Sequence, residues 1–563
     1  MKLTVEEADA IFGRPMGIPK TGVFGLYDLI GIDLMADVLK SFIKELPSGD
    51  PFHEVGRELP IIKKLIKDGY TGRKGKGGFF RINKSSGKKI LESLNYKDYT
   101  YKESKKIALE LPDLMDVKKV LERNDVYSQY AWSIIKKTIL YASNLVPDVT
   151  DNFNDIDDAM KCGFNWSKGP FEILNEIGIE TFISKLNKDD KIPSFIKQII
   201  KQKKSLFKAN QGSLQYFHPK DLYVSMQRSK GVISLSDIKK TTLPLYTNES
   251  ASIWEIQAKS RFICVEFHTK ANALDGLTND CLLKAYDLCN DKYDGIVIAN
   301  EGMQFSAGVN LNYFYEKAVN KKFNDIDIFL NNFQQSLYQL QHAKFPVVSC
   351  PSGLAIGGGY EVVSQTSFVA AHSNSVLGLV ESLVGLIPAG GGCKEMLWRW
   401  LQTPEGKENS EHASMKVFDL IGYAITATSP NEALPNQFFL EKDKVVINRD
   451  RQLSTAIDLL NNIEGGYEKP SQPKFNLGGS AVRDKMFEKL EALYNENKIL
   501  DHGLEVGKQI AFVLSGGNTN IDNELSEDDL YNLELEAFMR LIQMPKTQER
   551  IKHTLETGKP LVN

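Results

Sequence analysis

The sequence predicts a multidomain fold, with paired helical units first, an α/β domain next and a helical segment last. Three observations predict it. Apolar residues recur at helical spacing through roughly the first third of the chain, and one pattern there occurs twice. From about residue 252, short apolar runs of strand length alternate with glycine-rich junctions and amphipathic helices. Beyond about residue 450 the periodicity is helical again. The 563 residues leave ample length for two or more domains.

Residues 1–83 read as a helical unit. Thr4 with Glu7 three residues on forms a capping-box pattern. Phe24 to Phe42 carries Leu26, Leu29, Ile30, Leu34, Val38 and Phe42 at helical spacing, and Pro60 to Lys67 reads as a further helix. Gly72-Arg-Lys-Gly-Lys-Gly-Gly-Phe79 follows a lysine-rich helix and precedes an extended run. A dinucleotide loop needs the reverse order, so this run reads as a tight turn into a short strand. Residues 84–111 read as a lysine- and serine-rich connector. The unit then repeats over 112–200. Val5-Glu-Glu-Ala with Gly13, and Phe24 to Gly31, are answered by Ile156-Asp-Asp-Ala with Gly163, and Gly169 to Gly178. Residues 201–250 read as a polar linker with one or two short elements, among them Leu222 to Met226.

The α/β domain, 251–445, opens with the strand pair Ser252–Ile256 and Phe262–Phe267. Cys281 to Leu288 is amphipathic. The apolar run Gly295–Ala299 leads into Phe305-Ser-Ala-Gly-Val-Asn310, which offers the backbone N–H of Val309 at a strand end. Asp325 to His342 reads as a longer helix with Ile328, Phe329, Phe333, Leu337 and Leu340 on one face. The run Phe345–Cys350 then leads to Gly353-Leu-Ala-Ile-Gly-Gly-Gly-Tyr-Glu361. Its glycines sit at a strand-to-helix junction, where free N–H groups and the helix dipole favour negative charge. Glu381 follows in Gly378-Leu-Val-Glu-Ser-Leu-Val-Gly385, ahead of Pro388-Ala-Gly-Gly-Gly392. A Gly-Gly-Gly run before a helix is by itself most often only a turn. Two acids in apolar surroundings beside an N–H anion site, however, suit general acid/base chemistry.

Together these pieces resemble the crotonase (enoyl-CoA hydratase/isomerase) family over about 255–440. The resemblance implies a spiral of ββα turns. It implies an oxyanion hole from the amides of Val309 and Gly358, and Glu361 and Glu381 as the two acids of true hydratases. It also implies that Lys270, Ala271, Ala307, Gly308 and Ala389 lie along the substrate, with Lys270 near a phosphate or simply solvated. Asn310 stands where the family more often has Asp, and Ala389 where hydratases often have Gly. Both helical copies resemble the all-α C-terminal domain of 3-hydroxyacyl-CoA dehydrogenases, which is duplicated in fused β-oxidation enzymes with the dehydrogenase end first. The helical extension 446–563 resembles theirs. No strand–glycine–helix unit of the dinucleotide-binding type is found. Dehydrogenase activity is therefore not expected of this chain alone, and NAD would enter only with a Rossmann domain from another chain.

The expected activity is hydration of trans-2-enoyl-CoA in fatty-acid β-oxidation, with coenzyme A as part of the substrate and no other cofactor. The alternatives are an enoyl-CoA isomerase relying on Glu381, acyl-CoA binding without turnover, or a structural subunit completing a dehydrogenase in trans. A net charge of −3 with 25% charged residues argues against nucleic-acid binding. Six scattered cysteines without a Cys-x-x-Cys pair, no signal-peptide pattern and no membrane-length apolar run suggest a cytoplasmic protein. The eight histidines show no metal-ligand spacing. A homo-oligomer, or a complex with other β-oxidation enzymes, is the expected assembly.

Overall fold

The computed structural model describes every residue except 1, 2, 86, 108, 110–116, 211, 212, 221, 258, 259, 464 and 465. The chain divides into two units, residues 1–226 and 227–563. The expected start of the second helical copy, at residue 112, lies outside the described residues.

In the first unit the repeat is longer than the sequence echo. Helices Val5–Ile11, Phe24–Ile30, Ile32–Glu45 and Pro60–Lys67 are answered by Phe153–Phe164, Pro170–Ile177, Ile179–Ser184 and Ser194–Lys201. Thr4 caps the first of them through the expected capping box with Glu7. The expected continuous helix from Phe24 to Phe42 is broken at Gly31. There φ is +116°, a left-handed value that favours glycine, and Gly178 breaks the second copy likewise at +85°. The paired feature that organises both copies is a buried aspartate. Asp9 accepts hydrogen bonds from the amides of Val23, Phe24 and Gly25 at 2.7–2.8 Å. Asp157 accepts from Phe171 and Glu172 at 2.8 and 3.0 Å. Each satisfies otherwise orphaned N–H groups at the head of the following helix. Asp9 is therefore the counterpart of Asp157, which shifts the register of the echo read from Val5 and Ile156.

The connector and linker expectations are corrected. Residues 80–83, 90–94 and 101–103 form a three-stranded antiparallel sheet, and 207–210, 213–218 and 222–225 form a second one. Each copy thus ends in a small sheet. The strands are short and polar on one face, which is why they read as loop. The Gly72–Phe79 run makes the expected turn, with Gly72 N donating to Gly77 O at 2.8 Å.

The strands of the second unit that build the spiral are β1 (Tyr246–Thr247), β2 (Ala251–Gln257), β3 (Arg261–Phe267), β4 (Gly295–Ala299), β5 (Val347–Cys350), β6 (Leu354–Ile356), β7 (Phe368–His372), β8 (Val376–Gly378), β9 (Thr426–Ala427) and β10 (Lys444–Val446), and a separate antiparallel pair joins residues 474–476 and 524–526. A seven-stranded sheet has the order β10-β7-β5-β4-β3-β2-β1, and a second sheet has β6-β8-β9. Successive turns of chain send one strand to each sheet: β5 then β6, β7 then β8. This is the ββα spiral. Its core is made by β3, β4 and β5, buried along nearly their whole length, as expected for parallel strands covered on both faces.

The helices that matter for the site are α1 (Leu311–Val319), α2 (Phe323–Gln341), α3 (Gly358–Ser364), α4 (Gly392–Leu401), α5 (Gln452–Asn461) and α6 (Glu527–Ile542). On α2, Phe329, Phe333, Leu337 and Leu340 are buried, but Ile328 is 50% exposed and lies off the expected face. The sequence places α5 in the C-terminal extension, yet Gln452 donates to Pro351 O and Ala370 O at 2.7 and 2.8 Å. Leu453, Ala456, Ile457 and Leu460 pack with Val297, Val348 and Ala370. It therefore belongs to the spiral, whose boundary lies beyond residue 445. Among the described residues no helix is long and apolar enough to cross a membrane.

Candidate active site

Parallel pairing of β6 with β8 builds the site. Leu354, Ala355 and Ile356 align with Val376, Leu377 and Gly378. Whatever follows the ends of both strands must then lie side by side, which collapses the twenty-residue separation of Glu361 and Glu381. Gly357 leaves β6 with φ +56° and donates to Gly378 O at 3.0 Å. The chain then enters α3, placing Glu361 in its first turn. After β8, Glu381 opens a short 3-10 turn over Glu381–Val384.

The two carboxyl groups flank one glycine edge. A methyl built on Gly357 would lie 3.1 Å from Glu381 Oε1, and one on Gly358 would lie 3.7 Å from Glu361 Oε2. Their surroundings differ. Glu361 is only 2% exposed, and its Oε1 accepts from Gly390 N and Gly392 N at 2.7 and 2.9 Å. Glu381 is half-buried as a residue, but its Oε2 is buried and has no hydrogen-bond partner among the described residues. Burial raises the Glu361 carboxyl to about 7, against the lowering effect of its two amide donors. Burial and the neighbouring Glu361 push Glu381 well above the ordinary carboxylate range. Two carboxyls this close in an apolar setting do not both ionise near neutral pH.

The amides of Val309 and Gly358 meet beside this pair. Val309 sits in a parallel bridge to Leu274, in which Leu274 N donates to Gly308 O and Asn310 N to Leu274 O, both at 2.9 Å. Alternation of peptide planes then turns the Val309 N–H to the opposite side, toward the glycines. A methyl on Gly358 would lie 3.4 Å from Val309 N, and one on Gly308 would lie 3.4 Å from Gly358 N. Gly358 is the first residue of α3, so its N–H has no acceptor within the helix. Among the described residues neither amide donates to a protein acceptor. Gly308, at φ +96°, permits this approach, and its own N–H is held by Ser306 Oγ at 3.1 Å.

The other predicted residues fall around this centre. Asn310 caps α1, accepting from Asn312 N and Tyr313 N at 3.1 and 3.4 Å. Asn serves there as well as Asp, so this departure from the family pattern is structurally neutral. Ala307 N donates to Ala271 O at 3.1 Å, and both residues are exposed beside Lys270 at the mouth of the loop. Ala389 is buried, and its carbonyl accepts from Gln334 Nε2 at 2.9 Å. Sequence reasoning missed Glu534, Gln365 and Tyr531. Glu534 is fully buried on α6 and accepts from Gly391 N and Lys394 N. Its signal was available: it stands with Leu530, Ala537 and Leu541 on one stripe of an amphipathic helix.

The enoyl-CoA hydratase/isomerase family matches residues 257–407, and the C-terminal domain of 3-hydroxyacyl-CoA dehydrogenase matches residues 1–82. A Bacillus subtilis protein named as a 3-hydroxyacyl-CoA dehydrogenase is 30% identical over 99% of this chain and 71% of its own length. The chain belongs to the fused 3-hydroxyacyl-CoA dehydrogenase/enoyl-CoA hydratase family. A Rickettsia felis relative named as a fatty acid oxidation complex trifunctional enzyme is also 30% identical, over 98% of this chain and 70% of its own. A solved enoyl-CoA hydratase from Rhodobacter sphaeroides aligns with 56% of this chain and 92% of its own at 15% identity, with a TM-score of 0.42. By its two family matches and its fold, this member of the fused family carries a dehydrogenase-type helical unit, a crotonase-type spiral and a helical extension.

Proposed function

We propose that the spiral domain hydrates trans-2-enoyl-CoA thioesters in fatty-acid oxidation. The observation that carries this reading is the meeting of two buried, unlike carboxyls with two unengaged amides at one glycine edge. The thioester oxygen accepts from Val309 and Gly358. A water lies between Glu361 and Glu381. Glu361, supported by two amide donors, is the ionised member. Glu381, with no donor and a neighbouring negative charge, keeps its proton.

As water adds, Glu361 takes one of its protons and the oxygen bonds to the β carbon. The π electrons move toward the α carbon and the thioester oxygen, where the two amides stabilise the growing charge. Glu381 gives its proton to the α carbon. The product is the 3-hydroxyacyl thioester. The proton now on Glu361 is passed back to Glu381, which restores the starting state. No redox cofactor takes part. The substrate-side residues Lys270, Ala271, Ala307, Gly308 and Ala389 line the approach in this reading, with Lys270 on the side of the coenzyme A phosphates.

Loss of the enoyl-thioester absorbance of crotonyl-CoA on adding purified protein, without NAD, tests the reading. The wild type is expected to consume the substrate, and Glu381→Gln to be slower by about 10²–10⁴-fold. Full turnover in Glu361→Gln would refute the two-acid assignment, and no consumption by the wild type would overturn the proposal.

A further inference from the structure

The Pro388–Gly392 loop is gripped from two sides by two carboxyl groups that take alternate amides. Glu361 takes Gly390 and Gly392, at 2.7 and 2.9 Å. Glu534, from α6, takes Gly391 on Oε2 at 2.7 Å and Lys394 on Oε1 at 2.8 Å. The cap position of α4 is Gly391, which has no side chain to cap the helix, so Glu534 caps it from outside.

Helix α6 also fixes the other end of the same peptide plane. Tyr531 Oη donates to Gln365 Oε1 at 2.6 Å, and Gln365 Nε2 donates to Gly390 O at 2.8 Å and to Glu361 O at 3.0 Å. The plane between Gly390 and Gly391 is therefore held at its C=O by Gln365 and at its N–H by Glu534. The planes on either side carry the two N–H groups that hold Glu361. There is no slack: a methyl on Gly391 would come within 2.9 Å of both Gln365 and Tyr531. Burying a carboxyl costs free energy, and this one lies close enough to Glu361 that each opposes the other's ionisation. A helix cap alone has cheaper solutions, such as Ser or Asn at the cap position.

We propose that Glu534 is a positioning residue for the hydration site: from the C-terminal extension it locks the Gly390–Gly392 peptide planes that hold the Glu361 carboxylate. The inference rests on the hydratase reading in that Glu361 must be a group whose placement limits turnover. The extension is then part of the active site rather than a cover over it.

Glu534→Gln tests this whatever the charge on Glu534. Both carboxyl oxygens accept, whereas an amide nitrogen cannot, so either flip of Gln sets a donor against a donor. The expected result is a kcat for crotonyl-CoA lowered by about ten- to a hundred-fold with KM changed less than about threefold. Deuterium exchange in the 388–394 segment should quicken. In a Glu361→Gln background the same change should cost less than about threefold more, because the two act through one loop. Should Glu534→Gln fail to fold, Tyr531→Phe removes the shorter of the two donors to Gln365 Oε1, the other being Lys394 Nζ at 3.3 Å, and should lower kcat severalfold at constant KM. Wild-type kcat and exchange in the variant, or equal losses in both backgrounds, would overturn the proposal. A wild type that does not hydrate, with exchange still quickened in the variant, would overturn the hydratase reading and leave the loop-locking role standing.

Discussion

Glu361→Gln separates what this side chain does for chemistry from what it costs the fold. Oε1 makes both protein hydrogen bonds, to Gly390 N and Gly392 N. A glutamine oxygen can keep both, leaving its NH2 at the site of Oε2, which faces the Gly358 side. The loop should therefore survive, while the base is lost. Turnover should fall by about 10²–10⁴-fold, or roughly 3–5 kcal/mol of barrier. Stability should move the other way. Burial raises the carboxyl from 4.5 to about 7 in the folded protein. A raised carboxyl favours the folded state fully below its unfolded pKa and loses that advantage as pH rises to its folded value. Above about pH 7 the ionised, buried carboxyl costs the wild type folding free energy that a neutral glutamine does not. The variant should thus melt higher than wild type at pH 8, and the difference should shrink toward pH 4.5. Thermal unfolding at both pH values, with crotonyl-CoA turnover on the same samples, measures both effects. Turnover within about tenfold of wild type, or a variant less stable at pH 8, would refute this reasoning.

Gly358→Ala should block the amide pair, because its methyl would sit 2.9 Å from Val309 Cγ1 and 3.4 Å from Val309 N. We expect a loss in kcat/KM of about 10²–10³-fold with a cooperative melting curve retained. Lys394 is fully buried and paired with Glu395 and Glu527. Lys394→Met should therefore destabilise the second unit by about 3–5 kcal/mol in urea unfolding, since two buried acids lose their partner. Asp157→Ala orphans the amides of Phe171 and Glu172. It should lower the stability of the 1–226 unit by about 1–3 kcal/mol while crotonyl-CoA turnover stays at the wild-type rate.

The site was legible where chemistry dictates residue type at short range. Gly357 to Gly359, Glu361, and Val309 after Gly308 all announce a strand end with exposed amides. Glu381 was legible as an acid in an apolar setting, and its pairing with Glu361 was firm only through the family pattern, because their proximity comes from the β6–β8 register rather than from any local signal. Glu534 lay beyond that pattern. Its place depends on α6 crossing the Pro388–Gly392 loop, and only the misfit of an acid on an apolar stripe pointed to it. In the first unit, Asp9 and Asp157 govern the repeat through backbone amides, which leave no mark on side-chain periodicity. Of the small sheets at 80–103 and 207–225 only the extended run after Phe79 and the element at Leu222–Met226 were legible, because strands of three to six residues with one wet face resemble loop. Gly31 was passed over because the apolar spacing runs on through it, although its positive φ makes it the break between two helices.

The most direct measurement is a crystal structure of the protein with acetoacetyl-CoA, a thioester that mimics the charge of the hydration transition state. The account predicts the thioester oxygen about 3 Å from both Val309 N and Gly358 N, with the β carbon facing the gap between Glu361 and Glu381. A thioester bound elsewhere, or seated there with its oxygen turned from the two amides, would contradict it.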